Sequence, residues 1–181
     1  MKKVLLVLVA IVVLASCEKK QDPFEWNKTR VGHITDSTMV YQLDALYAND
    51  SLVKPVKGDA FSNGPSDIEV FEKGGKHLLT LTPVEDDSTS TIEYIKIHDT
   101  RYKTAKGITI ASNFKQISDA YKISNIDNMI MDAVVRVNDE NFYFTVEKAQ
   151  LPTDLQFDMN ATIEKSMIPD DATVHKMIIS W

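Results

Sequence analysis

The sequence predicts an α+β fold of two repeated units, each a short capped helix followed by a three-stranded antiparallel meander, with the helices packed on one sheet face. Three observations predict it. An apolar stripe at helical spacing occurs twice, a glycine-led turn with capping residues precedes each stripe, and runs rich in β-branched and aromatic residues follow each one. The units span residues 31–100 and 101–181, and 31–181 is read as one compact domain behind a signal segment (1–16) and a tether (17–30).

In the first unit, Gly32 through Thr38 leads into Val40, Leu43, Leu46 and Tyr47, an i, i+3, i+6, i+7 stripe that suits one face of a short helix. In the second, Gly107 through Ser112 leads into Phe114, Ile117, Ala120 and Tyr121, the same spacing at an offset of 74 residues. Gln42 matches Gln116, and Leu52 matches Ile126. Each glycine permits a tight turn, and Asp36 or Ser37 in the first copy and Ser112 or Asn113 in the second can accept from orphan N–H groups of the first helical turn.

Strand-like sequence follows each helix. Asp67 to Phe71 and Leu78 to Thr82 flank Gly74-Gly75, whose freedom at positive φ suits a hairpin turn, and Thr91 to His98 makes a third strand. The second unit offers Met129 to Val137, a turn at 138–141, and Phe142 to Lys148. The terminal run Thr173 to Trp181 carries Val174, Met177, Ile178, Ile179 and Trp181, which places it inside the sheet rather than at a frayed end.

The chain begins with Met1-Lys2-Lys3, an apolar run of 11 residues from Val4 to Leu14, and Ala15-Ser16-Cys17, the pattern of a bacterial lipoprotein signal cut before its cysteine. The run is shorter than the ~20 residues needed to cross a bilayer, so acyl chains on Cys17 are expected to supply the anchor. Glu18 rather than Asp follows the cysteine, which favours the outer membrane. Cys17 is the only cysteine, so disulfides, thiol chemistry and cysteine-based zinc sites are excluded. Phe24 and Trp26 interrupt the polar tether, and docking onto the domain is expected for both.

Removing residues 1–16 leaves 165 residues with 18 basic and 26 acidic side chains, a formal net charge of −8. That balance repels phosphates and excludes a nucleic-acid binder. The chain has no Gly-x-Ser-x-Gly elbow, no His-Glu-x-x-His pair, no Walker loop and no dinucleotide glycine pattern, so no catalytic residue and no cofactor is expected. His33, His77, His98 and His175 are spread singly, with His33 and His77 in turns and His98 at a strand end, and no metal site is expected. Asp86-Asp87 and Asp170-Asp171 lack calcium-loop spacing and read as solvated turns. The candidate partner-binding segment is Arg101, Tyr102, Lys103 and Thr104, since it concentrates cations and an aromatic in an acidic chain and Arg and Tyr are enriched at binding hot spots.

A turn-capped helix followed by a three-stranded meander, present twice, resembles the small outer-membrane lipoprotein (SmpA/OmlA-like) family and β-lactamase-inhibitor-protein-like domains. The residues that carry the resemblance are Gly32 to Tyr47 and Gly107 to Tyr121, with Tyr102-Lys103-Thr104 before the second glycine. The chain departs from the pattern at Ala48-Asn49-Asp50 and Lys122-Ile123-Ser124, where familiar members carry Gly and Pro. The resemblance implies a protein that binds other proteins, as an accessory in envelope assembly or as an inhibitor gripping an enzyme with its sheet. The expected function is therefore an outer-membrane-anchored lipoprotein, held by lipid on Cys17, that binds another envelope protein without catalysis. The alternative is a small-molecule binding lipoprotein, with the pocket on the sheet face or between the units.

Overall fold

A computed structural model describes residues 22–54 and 67–181. Cys17 lies outside the described residues. The fold is mostly β, and the α+β expectation of two helix-plus-three-strand units is overturned by it. A three-stranded sheet of β1 (Trp26–Asn27), β2 (Arg30–Val31) and β3 (Ile34–Thr35) accompanies one eight-stranded antiparallel sheet. The large sheet contains β4 (Ser51–Val53), β5 (Ile68–Phe71), β6 (His77–Pro83), β7 (Ile92–Ile97), β8 (Ile123–Asn128), β9 (Asp132–Val137), β10 (Phe142–Glu147) and β11 (Lys176–Ser180). Their spatial order is β4-β5-β6-β7-β11-β10-β9-β8.

The helices are minor. The first stripe forms a 3₁₀ turn, Val40–Gln42, and a single α-turn, α1 (Leu43–Leu46), because Tyr47 closes the turn and the chain runs on into β4. The second forms α2 (Phe114–Ala120), and a third helix, α3 (Thr153–Phe157), follows β10. Asn113 caps α2 through a reciprocal pair. Its Oδ1 accepts from Gln116 N at 2.9 Å while Gln116 Oε1 accepts from Asn113 N at 3.0 Å. Gln42 makes only half of that arrangement, accepting from Met39 N at 2.8 Å, and neither Asp36 nor Ser37 occupies the N-cap.

Register explains where the core lies. Leu52, Val70, Leu79, Ile97, Met177, Phe144, Val135 and Ile126 are successive cross-strand partners, one from each strand, and form an apolar row on the inner face. Side chains alternate across a strand, so the row one step away points outward: Val53, Glu69, Thr80, Lys96, Ile178, Tyr143, Arg136 and Asn125. The inner face is covered by α2, whose Phe114 ring lies 6.3 Å from Phe144, and by the N-terminal segment. Trp26, 1% exposed, meets Phe142 edge-on at 4.9 Å, and Phe24 meets Tyr102 at 5.2 Å. Residues 22–30 are thus part of the folded body, with both aromatics docked.

Gly32 adopts φ +55, and a Cβ there would come within 2.6 Å of the Pro23 carbonyl oxygen, so both conformation and space demand glycine. The Gly74-Gly75 turn joins β5 to β6 as expected, with both glycines at positive φ. Two expectations shift. Met129 to Met131 belongs to the turn between β8 and β9 rather than to a strand, and the expected strand set lacks β1 to β3 and the edge strands β4 and β8.

Candidate functional site

The outer face of the sheet gathers chemistry that is dispersed in sequence. Glu69 on β5 sits opposite Thr80 on β6, His77 begins β6, and His98 follows β7 alongside them. Glu69 Oε2 accepts from the Thr80 hydroxyl at 2.8 Å, and Thr80 Oγ1 lies 2.8 Å from His98 Nε2. Thr80 has one proton and gives it to the carboxylate, so its bond with His98 is one in which the imidazole Nε2–H donates. The His77 and His98 rings stack at 3.7 Å with 20° between planes, and Phe71 stacks on His77 at 4.6 Å.

His77 Nε2 is closed off from solvent and lies 2.5 Å from Glu69 Oε2, yet it makes no hydrogen bond, because the direction of the nitrogen misses the oxygen. Glu69, His77 and His98 each offer a ligand atom, and these atoms lie within 4.8 Å of one another. Burial first, then the neighbouring His77 and Lys96, push His98 down to about 4, so its imidazole is neutral near pH 7. In the sequence His77 falls in a turn and His98 at a strand end, with nothing local to join them. The missing information was the β6–β7 register.

The remaining histidines lie apart from this cluster. His33 meets Tyr47 edge-on at 6.0 Å. His175 Nδ1 lies 3.0 Å from Asp132 and 3.5 Å from Glu147, but the Lys176 ammonium, 3.0 Å from Asp132, already supplies the cation. Asp87 serves a turn, accepting from Thr89 N at 2.6 Å.

The segment proposed for partner contact is built largely into the fold. Arg101 binds Asp99 at 2.6 Å and Glu72 at 2.8 Å, with its guanidinium 4.3 Å over the Phe24 ring. Tyr102 is 2% exposed and Thr104 6% exposed, the latter accepting from Ile108 N. Lys103 keeps a half-exposed side chain that faces Asp22 at 3.5 Å. Surface for a partner within this segment is therefore confined to Arg101 and Lys103.

A second feature of the outer face is an open groove of about 710 Å³ on the β7–β11–β10–β9–β8 side. Tyr94, Tyr143, Val134, Arg136 and Asp127 line it from the sheet, and Ala161 to Ile163 borders it beside β8. Arg136 is held at 3.0 Å by Asp127 and lies 5.3 Å over the Tyr143 ring. Asn128 fixes the bordering segment by donating to the Asp158 and Ala161 carbonyls at 2.9 and 2.8 Å.

No protein-family model matches the chain, and no curated protein matches it. Among solved structures, the fold is similar to that of the uncharacterized protein yfeY from Escherichia coli, with a TM-score of 0.54 and 16% sequence identity, covering 85% of this chain and 97% of that one. At that identity the likeness concerns the fold alone. No family model supports the resemblance to the small outer-membrane lipoprotein and inhibitor-like families, and what stands is a distant fold neighbour.

Proposed function

We propose that this chain is a lipid-anchored outer-membrane protein that acts by binding another envelope protein, without catalysing a reaction. The observation that carries the reading is the groove on the outer face, where Tyr94, Tyr143 and Arg136 form a mixed aromatic and cationic surface that the chain's own core does not use. Interfaces favour such a composition, with Tyr and Arg as anchors. The groove is open along the sheet rather than enclosed, which suits a segment of polypeptide. The export pattern ending at Cys17 supports the address.

A photo-crosslinking amino acid at Val134, in the chain expressed in its own cells, tests the reading. A discrete adduct with an envelope protein is expected, diminished by Arg136→Glu and lost from the membrane fraction in Cys17→Ala. No adduct from any groove position would overturn it. The groove volume also lies within the usual range for small-molecule sites, about 300–1,000 Å³. A thermal-shift screen against metabolites separates the two readings, since a ligand at 100 times its Kd stabilises by about 2.7 kcal/mol.

A further inference from the structure

We propose that Glu69, His77 and His98 form a binding site for one divalent transition-metal ion of the zinc class. The donor set is two imidazole nitrogens and one carboxylate oxygen. Imidazole selects Zn²⁺, Cu²⁺, Ni²⁺ or Co²⁺ over Ca²⁺ and Mg²⁺, which prefer all-oxygen shells. Two nitrogens and a carboxylate also match the three-ligand, open-position sites in which such ions keep a water or an exogenous group.

Three further observations point to a cation rather than to a closed hydrogen-bond network. His77 Nε2 is shielded from solvent and has no hydrogen-bond partner although a carboxylate oxygen lies beside it. A cation set off the line between the two atoms satisfies both. Thr80 donates to Glu69 Oε2 and so orients the carboxylate, the kind of supporting bond that metal ligands receive. The site also sits on paired strands, β5 and β6, with His98 hydrogen-bonded into the same sheet through its N–H to the Leu78 carbonyl at 3.0 Å.

Binding requires a defined rearrangement. An ion lies in the plane of each imidazole that ligates it, and the two rings are within 20° of parallel, so His77 must turn out of its stack with His98 and Phe71. Its side chain is 31% exposed, which leaves room on the solvent side. Ligation through His98 Nε2 releases its bond to Thr80 and moves the proton to Nδ1, whereas ligation through Nδ1 keeps that bond. The neutral imidazole keeps one proton either way.

The test is calorimetric titration of the full chain, purified without a histidine tag, with Zn²⁺, alongside Co²⁺ absorption to report the ligand field. One ion per chain is expected. Glu69→Gln, His77→Asn and His98→Ala should each weaken binding by about tenfold or more, while His33→Ala and His175→Ala leave it unchanged. Thermal unfolding of each variant checks the fold. Should His98→Ala fail to fold, His77→Asn at its partly exposed position decides the question. Absence of saturable Zn²⁺ binding overturns the proposal, as does binding that survives His77→Asn or that is lost in His175→Ala instead.

Discussion

Asp99 shows how one buried charge is retained. Its side chain is fully shielded, yet Arg101 donates through both Nε and Nη2, at 2.9 and 2.6 Å, its backbone N–H donates at 2.9 Å, and Lys76 Nζ lies 3.1 Å away. Burial raises the carboxyl's pKa, but the hydrogen bonds from Arg101 and Lys76 outweigh it and hold the group at about 2. The folded value lies below the unfolded one, so the stabilisation is present above about pH 4 and is lost as pH falls toward 2. Its size is about 2 kcal/mol. Urea unfolding at pH 7, 4 and 2.5 should show a decline over the last interval that Asp99→Asn flattens. At pH 7 the same substitution should destabilise, since it leaves Arg101 and Lys76 with a neutral partner. An unaltered acid limb in the variant would show that other carboxylates carry the transition. Asp132, lowered by His175 and Lys176 against the effect of its burial, is the first alternative. The sequence marks the segment Arg101 to Thr104, with Arg101 and Lys103 as its cations. It could not mark their partners, because Glu72 lies 29 residues away from Arg101 and Asp22 pairs with Lys103 across the first half of the chain.

At the scale of elements, β11 is the strand on which the sheet depends. It pairs with β7 on one side and β10 on the other, and Met177 and Ile179 are fully buried. Ile179→Ala should cost about 2–5 kcal/mol. Leu52→Ala, at the half-buried centre of edge strand β4, should cost distinctly less, and paired denaturation curves give the comparison. Equal losses would argue against a central role for β11. The alternating or continuous apolar runs of β5, β6, β7, β10 and β11 made these strands legible in sequence. Within the large sheet the two missed strands are its two edges, and the two-residue strands β1, β2 and β3 are too short to show any period. β8 carries only Ile123 and Ile126 as apolar residues, and a register shift between Ile123 and Asn125 breaks the alternation that would have revealed it. β4 has three residues, too few for any period. The helical stripes hold in part: Leu43, Tyr47, Phe114 and Ile117 are buried, Leu46 is exposed, and the helices are a far smaller share of the fold than the stripes imply. The histidine cluster escaped for a related reason. Its members come from β5, β6 and the residue after β7, elements whose mutual register no local pattern encodes.

At the scale of the molecule, the sheet is two runs of four sequential strands that meet only where β7 pairs with β11. That seam joins residues about 80 positions apart in the chain, so the sheet is complete only when its last strand is in place. The inner apolar row crosses the seam without interruption, through Leu79, Ile97, Met177 and Phe144. The N-terminal segment reinforces this union: Trp26 packs on Phe142 of β10, while Phe24 packs on Tyr102 just beyond β7. Trp181 adds a further tie, donating from its backbone to Glu93 of β7 at 3.0 Å and from its indole to the Lys28 carbonyl at 2.8 Å. A continuous core of this kind should unfold in one cooperative step. Tryptophan fluorescence, which reports Trp26 and Trp181, should therefore coincide with far-ultraviolet circular dichroism through a urea titration. Within the large sheet, amide exchange should be slowest in β6, β7, β10 and β11 and fastest in β4 and β8, its two edge strands. Two separate transitions, with either group of four strands surviving the loss of the other, would show that the β7–β11 seam is a contact between independent parts rather than the centre of a single core.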